Sequence, residues 1–94
     1  MIVYLAGPIA GVKEYWKQFN NVAADLARHG HAVLNPASLP AGLAPDAYMP
    51  ICLAMIQACD EVLLLPGWRE SEGVKLEINY ARYQGKAVSI FEQS

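Results

Sequence analysis

A serine, a glycine and a glutamate near the carboxyl end of the chain have the types and spacing that could do chemistry: Ser71, Gly73 and Glu77. In a helix, which turns about 100° per residue, Glu77 lies on a flank of the apolar stripe, on the side of the neighbouring strand ends. Burying a carboxylate there is costly unless it is hydrogen-bonded. Glu77 is therefore either a solvated side chain that borders the core or a functional group.

Three further residues have both an ordinary and a functional interpretation. Ser71 precedes a predicted helix, where free N–H groups favour an anion, so it is an N-cap, a phosphate ligand or both. Trp68 either packs against the core or stacks on the ring of a ligand. Tyr4 is a buried aromatic residue of the first strand, and its hydroxyl needs a polar partner.

Four apolar runs are predicted to be strands: "MIVYLAG", "HAVLNP", "EVLLLPG" and "AVSIFE". The helical period predicts helices from about Val12 to His29, with Trp16 on the apolar stripe, and from about Glu72 to Gln84. Residues 36–46 hold three prolines and a glycine, which predicts a surface loop.

The middle helix is predicted to end at Ala58, but its start is ambiguous. Pro50 has no N–H and fits only the first helical turn, so the helix is expected to begin at Ala47 or at Pro50. Its apolar residues are expected to be buried: Ile51, Cys52, Met55, Ile56 and Cys59. Both cysteines are interpreted as small core hydrophobes.

Strands that alternate with helices predict an α/β fold with right-handed crossovers. We expect a small doubly wound, flavodoxin-like parallel sheet of four strands in the order 2-1-3-4, with helices on both faces. Ligands of such sheets bind beyond the carboxyl ends of the strands, where the strand order reverses. That rule points to the segments "AGPIAG", "NPASLP" and "PGWRESEG".

Composition narrows the classes of partner. The length predicts one domain over residues 1–94, and 54% hydrophobic with 17% charged residues predicts self-association. A net charge of −2 without a Lys/Arg cluster argues against polymeric nucleic acid as a partner. The chain has no apolar run of about 18 residues and no leader-like start, so we expect no membrane segment and a cytoplasmic location. No metal-ligand pattern is visible.

Three segments carry a family resemblance: "YLAGPIAG", "CDEVLLLPGW" and "SEGVKLEINYARYQGKAV". In the same order and over nearly the whole chain, they resemble the nucleoside 2-deoxyribosyltransferase superfamily. The closest likeness is to its small, often phage-associated members of unassigned function, and the chain is also similar to the 2'-deoxynucleoside 5'-monophosphate N-glycosidases. The resemblance implies hydrolysis or transfer at the N-glycosidic bond of a small-molecule nucleoside or nucleotide, without a metal or organic cofactor, in a homodimer or larger homo-oligomer.

The resemblance also implies roles for individual residues. Glu77 matches the nucleophile that attacks the sugar, and Tyr4 matches the tyrosine that positions it. Ser71 matches a phosphate contact at the start of the helix, near Gly73. The turn after strand one is expected to wrap the sugar or phosphate, and its residues are Gly7, Pro8, Ile9 and Gly11. From their own positions in the sequence, Trp68 and Gly73 are also expected to bind the substrate.

The chain departs from the family pattern at the second carboxylate. Family enzymes have an Asp eight residues before the Asp that opens strand three, here Asp60, and this chain has Cys52 instead. A thiol with a reference pKa of about 8.5 is a poor substitute. Asp60 lies at the wrong end of its strand, which leaves three acids without a means of choosing among them: Asp46, Glu70 and Glu72.

These departures leave two other functions open. The strand-one turn, with Pro8 and Ala10, has few donors for phosphate. A catalytically inactive nucleotide-binding or sensing module of the same fold is therefore the first alternative. The second is a small α/β interaction domain without a small-molecule ligand, for which Glu77 would point into solvent.

Overall fold

Strands and helices alternate along residues 1–92, the part of the chain that the computed structural model describes; residues 93 and 94 of the predicted domain lie outside it. The strands are β1 (Ile2–Ala6), β2 (Ala32–Leu34), β3 (Glu61–Leu64) and β4 (Ala87–Ile90). The helices are α1 (Tyr15–Arg28), α2 (Pro45–Ala58) and α3 (Glu72–Tyr83). Short 3-10 turns cover Pro36–Ser38 and Trp68–Glu70.

The four strands form one parallel sheet in the order β2-β1-β3-β4. Successive side chains of a strand point to opposite faces, which divides the core into two parts. Val3 and Leu5 pack with Phe19 of α1 on one face. Tyr4 and Ala6 face the other side, where they pack with apolar residues of α2 and α3. The predicted α/β fold, its strand order and its helices on both faces are confirmed.

The turns after β1 and β3 contact each other closely. A Cβ atom on Gly7 would lie 3.1 Å from the Cβ of Leu65 and 3.1 Å from the Cζ of Phe19. Gly67 has a φ of +90°, and a Cβ atom there would lie 2.9 Å from the Cγ of Pro8. Side chains other than hydrogen are disfavoured at Gly67 both by this backbone conformation and by the neighbouring proline ring.

Helix α2 begins earlier than predicted. It begins at Pro45, whose missing N–H would be unpaired in the first turn anyway, and it continues through Pro50. Pro50 removes the N–H that would bond the carbonyl of Asp46, but both residues are exposed, so water can reach that carbonyl. The expectation of a start at Ala47 or Pro50 was wrong because it treated Pro50 as a barrier.

Two predicted burials are also corrected. Ile51 was expected in the core, but it is 38% exposed, because the buried face of α2 is the one that carries Cys52 and Ile56. Trp16 was placed on the apolar stripe of α1 and is 46% exposed. Helix α1 begins at Tyr15 rather than near Val12, since Glu14 has a left-handed φ of 55°.

Candidate active site

A cavity of about 690 Å³ opens beyond the carboxyl end of β1, in the region that the doubly wound topology predicted. Its walls come from the turn after β1, the segment between β2 and α2, the beginning of α2 and the first half of α3. The lining residues are Tyr4, Gly7, Ile9, Ala10, Tyr15, Pro36, Leu39, Pro40, Ala41, Gly42, Leu43, Pro45, Asp46, Tyr48, Met49, Ser71, Gly73, Val74 and Glu77.

Glu77 is a buried acid in the wall of this cavity, with 5% of its surface exposed. Val74, Ile78 and Ala81 fix α3 against the sheet and thereby hold the flank of the helix that carries Glu77 over the end of β1. The hydroxyl of Tyr4 donates a hydrogen bond to the Oε2 of Glu77. The interpretation of Glu77 as a solvated side chain does not fit this geometry.

The surroundings of Glu77 shift its proton equilibrium in two directions. Burial raises the pKa of Glu77 from its usual value to about 7, and the hydrogen bond from Tyr4 opposes that rise. Burial also raises the pKa of Tyr4, with a further contribution from the charge of Glu77. Tyr4 therefore keeps its proton and acts as the donor, while Glu77 changes charge near neutral pH.

The position of the missing family aspartate is occupied by a neutral thiol. Cys52 is fully buried, and burial raises the pKa of its thiol more than the hydroxyls of Tyr4 and Tyr48 lower it. Burial likewise raises the pKa of Tyr48, which lies on the cavity wall. A cluster of one carboxyl group, one thiol and two phenols thus occupies this part of the site.

Tyr48 was missed in the sequence analysis, although a signal was present. It lies four residues before Cys52, a spacing that places both on one face of a helix. A start of α2 at Pro50 leaves Tyr48 outside the helix and hides this pairing, whereas the observed start at Pro45 includes it.

Ser71 caps α3 and lines the cavity as well. Its Oγ accepts a hydrogen bond from the N–H of Val74 at 3.2 Å, which is N-cap geometry. Gly73 lies in the first turn of the same helix, and a Cβ atom there would meet the Cε of Met49 at 3.7 Å and the Oγ of Ser71 at 3.8 Å. The start of α3 therefore forms one wall of the cavity.

Three of the predicted substrate-binding residues do not line the cavity. The side chain of Pro8 contacts the turn at Gly67, and a Cβ atom on Gly11 would meet open space. Trp68 borders a separate depression, where the guanidinium of Arg69 lies 4.7 Å from its ring centroid. Trp68 is half-buried and packs against the side of the core that faces α2 and α3, which agrees with its interpretation as a packing residue.

The structure separates the candidate acids that sequence left equivalent. Asp46, in the first turn of α2, lines the cavity. Glu70 borders the depression near Trp68, and Glu72 forms an ion pair with Lys75 at 3.2 Å. Asp60 accepts a hydrogen bond from the N–H of Ile2 at the opposite end of the sheet.

The segment between β2 and α2 forms a large part of the cavity wall, a role that the sequence analysis did not predict. Residues 39–45 were treated as a surface loop, yet they supply much of the cavity wall. The segment is anchored where the side chain of Asn35 accepts a hydrogen bond from the N–H of Ala37 at 2.9 Å. Its apolar composition, with two leucines and two prolines, could have indicated a wall rather than a solvated loop.

Residues 1–92 contain neither a metal-ligand cluster nor a membrane-spanning helix. No group of three or more His, Cys, Asp or Glu side chains is arranged to hold a metal ion in this part of the chain. No helix there is long and apolar enough to cross a membrane.

Two solved structures resemble the chain over almost all of its length. A CMP N-glycosidase of Clostridium botulinum is 27% identical, with a TM-score of 0.71 over 96% of this chain and 67% of its own. A 2-deoxyribosyltransferase of Leishmania mexicana is 22% identical, with a TM-score of 0.78 over 99% of this chain and 65% of its own, which is evidence for the fold. The chain thus spans about two thirds of the length of either structure.

The family comparison covers the same region. No curated protein matches the chain significantly. The family described as a domain of unknown function, DUF4406, matches residues 1–90, which include every element of the sheet and every residue that lines the cavity. The chain belongs to the DUF4406 family and has the nucleoside 2-deoxyribosyltransferase-like fold.

Proposed function

We propose that this protein cleaves or transfers the N-glycosidic bond of a 2'-deoxynucleoside or its 5'-monophosphate, with Glu77 as the nucleophile. The observation that carries the proposal is a buried carboxyl group in a cavity wall with a tyrosine hydroxyl bonded to one of its oxygens. The cavity has the volume typical of small-molecule sites. The likeness in fold to an N-glycosidase and a deoxyribosyltransferase supports the same chemistry.

The chemistry would proceed in two displacements at the anomeric carbon. The free oxygen of Glu77 attacks C1', the C1'–N bond breaks, and its electron pair leaves with the base, which takes up a proton. Water, or a second base, then attacks C1' of the glycosyl ester and regenerates the carboxylate. Tyr4, bonded to Oε2, holds the side chain in one orientation during both steps.

The leaving base needs a proton source. Asp46 is the one of the three candidate acids that lines the cavity, so we assign it the role of relaying a proton from solvent water to the base. Asp46 is exposed and lies at the beginning of α2, where its side chain can reach toward a ligand.

The test is incubation with the four deoxynucleosides and their 5'-monophosphates, followed by chromatography for free base. Glu77→Gln should lower turnover by roughly 100-fold or more, because the nucleophile is removed while its shape is kept. Glu72→Gln is the matched control, since it changes an exposed acid of the same helix. Acid-quenched wild-type protein should carry a deoxyribosyl group on Glu77 by mass spectrometry. Equal turnover by wild type and Glu77→Gln would exclude this route.

A second candidate function is ligand binding without turnover. It is favoured by the neutral thiol of Cys52 at the position where the family resemblance implies a carboxylate. Nucleosides or nucleotides would then raise the melting temperature of the wild-type protein without release of base. In that case Cys52→Asp, which supplies a carboxyl group, should produce measurable turnover, whereas Cys59→Asp should not.

A further inference from the structure

We infer that the cavity selects an uncharged 2'-deoxynucleoside over its 5'-monophosphate. This inference rests on the proposed function and concerns the ligand of the same site. It starts from the charges of the cavity wall. Among the lining residues in the described part of the chain, the ionisable side chains are Asp46 and Glu77 with the phenols of Tyr4, Tyr15 and Tyr48, and no Lys, Arg or His is present.

The basic side chains of the neighbouring segments either interact with other residues or lie outside the cavity wall. The guanidinium of Arg69 lies over the ring of Trp68, and the Nζ of Lys75 pairs with Glu72. Lys13 follows the turn after β1, but it is exposed and does not line the cavity. A phosphate in the cavity would therefore lack a cationic partner from its walls.

The neutral donors fit a hydroxyl better than a dianion. The Oγ of Ser71 accepts the N–H of Val74, which leaves the hydroxyl proton of Ser71 free to bond a 5'-oxygen of a ligand. Pro8 has no N–H to offer from the strand-one turn. The remaining contribution is the first turn of α3, which can favour an anion but carries no full charge.

A phosphate would also act against the nucleophile. In a cavity whose wall already holds the carboxyl group of Glu77, two added negative charges disfavour its ionised form. Because Glu77 attacks as the carboxylate, a bound monophosphate would lower the reactive fraction as well as the affinity. A nucleoside has neither effect.

The test compares kcat/KM for each deoxynucleoside with that for its 5'-monophosphate. We expect the nucleoside to be favoured by about tenfold or more, the order of an unscreened repulsion between like charges in a partly dry site. Ala10→Arg adds a guanidinium at an exposed position of the wall and should lower this ratio about tenfold. Ala24→Arg, at an exposed position of α1 outside the cavity, should leave the ratio unchanged.

The outcomes separate this inference from the proposed function. A wild-type preference for the monophosphate overturns the inference and leaves the proposed function standing, and so does a ratio that Ala10→Arg does not lower. Cleavage of neither compound overturns the proposed function, and calorimetric affinities then decide the inference. Tighter binding of the nucleoside supports it, while equal or tighter binding of the monophosphate, or no binding of either, overturns it.

Discussion

At the scale of single residues, Glu77 and Tyr4 form a pair with opposing effects. Burial makes Glu77 harder to ionise, and the hydroxyl of Tyr4 makes it easier. The resulting pKa of about 7 leaves a large fraction of Glu77 as carboxylate under neutral conditions. A buried carboxyl group without the hydrogen bond from Tyr4 would be mostly protonated at neutral pH. An exposed carboxyl group would be ionised, but it would lack the shielding from water that keeps it reactive.

The pair predicts a pH dependence of activity. Because the reactive form is the carboxylate, kcat/KM should rise with pH to a plateau, with a midpoint near the Glu77 pKa of about 7. Tyr4→Phe removes the hydrogen bond that lowers this pKa, so the midpoint should move to higher pH. Tyr83→Phe, which changes a tyrosine on the outer surface of α3, should keep the wild-type midpoint. A midpoint that stays or falls in Tyr4→Phe would contradict this account of the pair.

At the scale of elements, the first turn of α3 has to be helical and also has to leave space for a ligand in the cavity. Gly73 is a poor helix former in a helical position, yet it leaves space beside Met49 and Ser71 on the cavity wall. A side chain at this position would occupy space that a ligand needs. The glycine is explained by the cavity rather than by the backbone, since its φ is not in the left-handed region.

Gly73→Ala should therefore stabilise the protein and weaken its activity. The change removes backbone freedom from the unfolded chain, and we expect a gain of about 0.4–1 kcal/mol in the free energy of unfolding. The added methyl group should raise KM for the substrate, measured together with urea denaturation. Asn79→Ala is the control, because it improves helix propensity at an exposed position outside the cavity and should leave KM unchanged. A variant of Gly73 with unchanged KM would show that the ligand lies elsewhere.

The helices and strands were largely predictable from the sequence, but the contacts between distant segments were not. Hydrophobic periodicity identified each strand and helix, and the alternation of elements was sufficient for the strand order. The start of α2 was misplaced because local rules for Pro50 do not include the solvent exposure that makes a helical proline tolerable. The roles of Tyr48 and of residues 39–45 depend on which segments meet in space, which periodicity does not describe.

The environment of Trp68 could not be predicted from its position in the sequence. Its position after β3 was identified correctly, but it borders a separate depression rather than the cavity, with Arg69 over one face of its ring. For Glu77, the prediction came from a different kind of evidence. Helical position left its burial open, and the family resemblance, rather than periodicity, gave the reason to assign it to the site.

At the scale of the whole molecule, the same carboxyl group affects stability. The pKa of Glu77 rises from 4.5 to about 7 on folding, so the native state holds its proton more tightly than the unfolded chain does. The contribution of this proton to stability is fully present below about pH 4.5 and is lost as pH rises through about 7. The corresponding loss is of the order of 3 kcal/mol, which is a substantial part of the stability of a small domain.

Glu77→Gln should remove this loss. Between pH 5 and pH 8, the free energy of unfolding of the variant relative to wild type should increase, with the variant the more stable protein at pH 8. Urea denaturation at both pH values measures the difference, and Glu72→Gln is again the matched control. A relative stability that does not change with pH would mean that Glu77 titrates in the native state as it does in the unfolded chain.

Self-association remains a prediction of the composition. Large apolar side chains are exposed on the first and last helices: Trp16 on α1, and Leu76 and Tyr83 on α3. Sedimentation equilibrium of the wild-type chain would measure the oligomeric state directly.

Because Gly67 contacts Pro8, a substitution at position 67 could alter the substrate range without changing any residue that touches the ligand. Pro8 lies between two residues of the cavity wall, Gly7 and Ile9, and its ring abuts Gly67 in the turn after the adjacent strand. A larger residue at position 67 would displace that ring and reshape the wall from behind. Because the backbone at position 67 disfavours every side chain, such a change should also lower stability, so a library at this position has to be screened for folding as well as for new substrates.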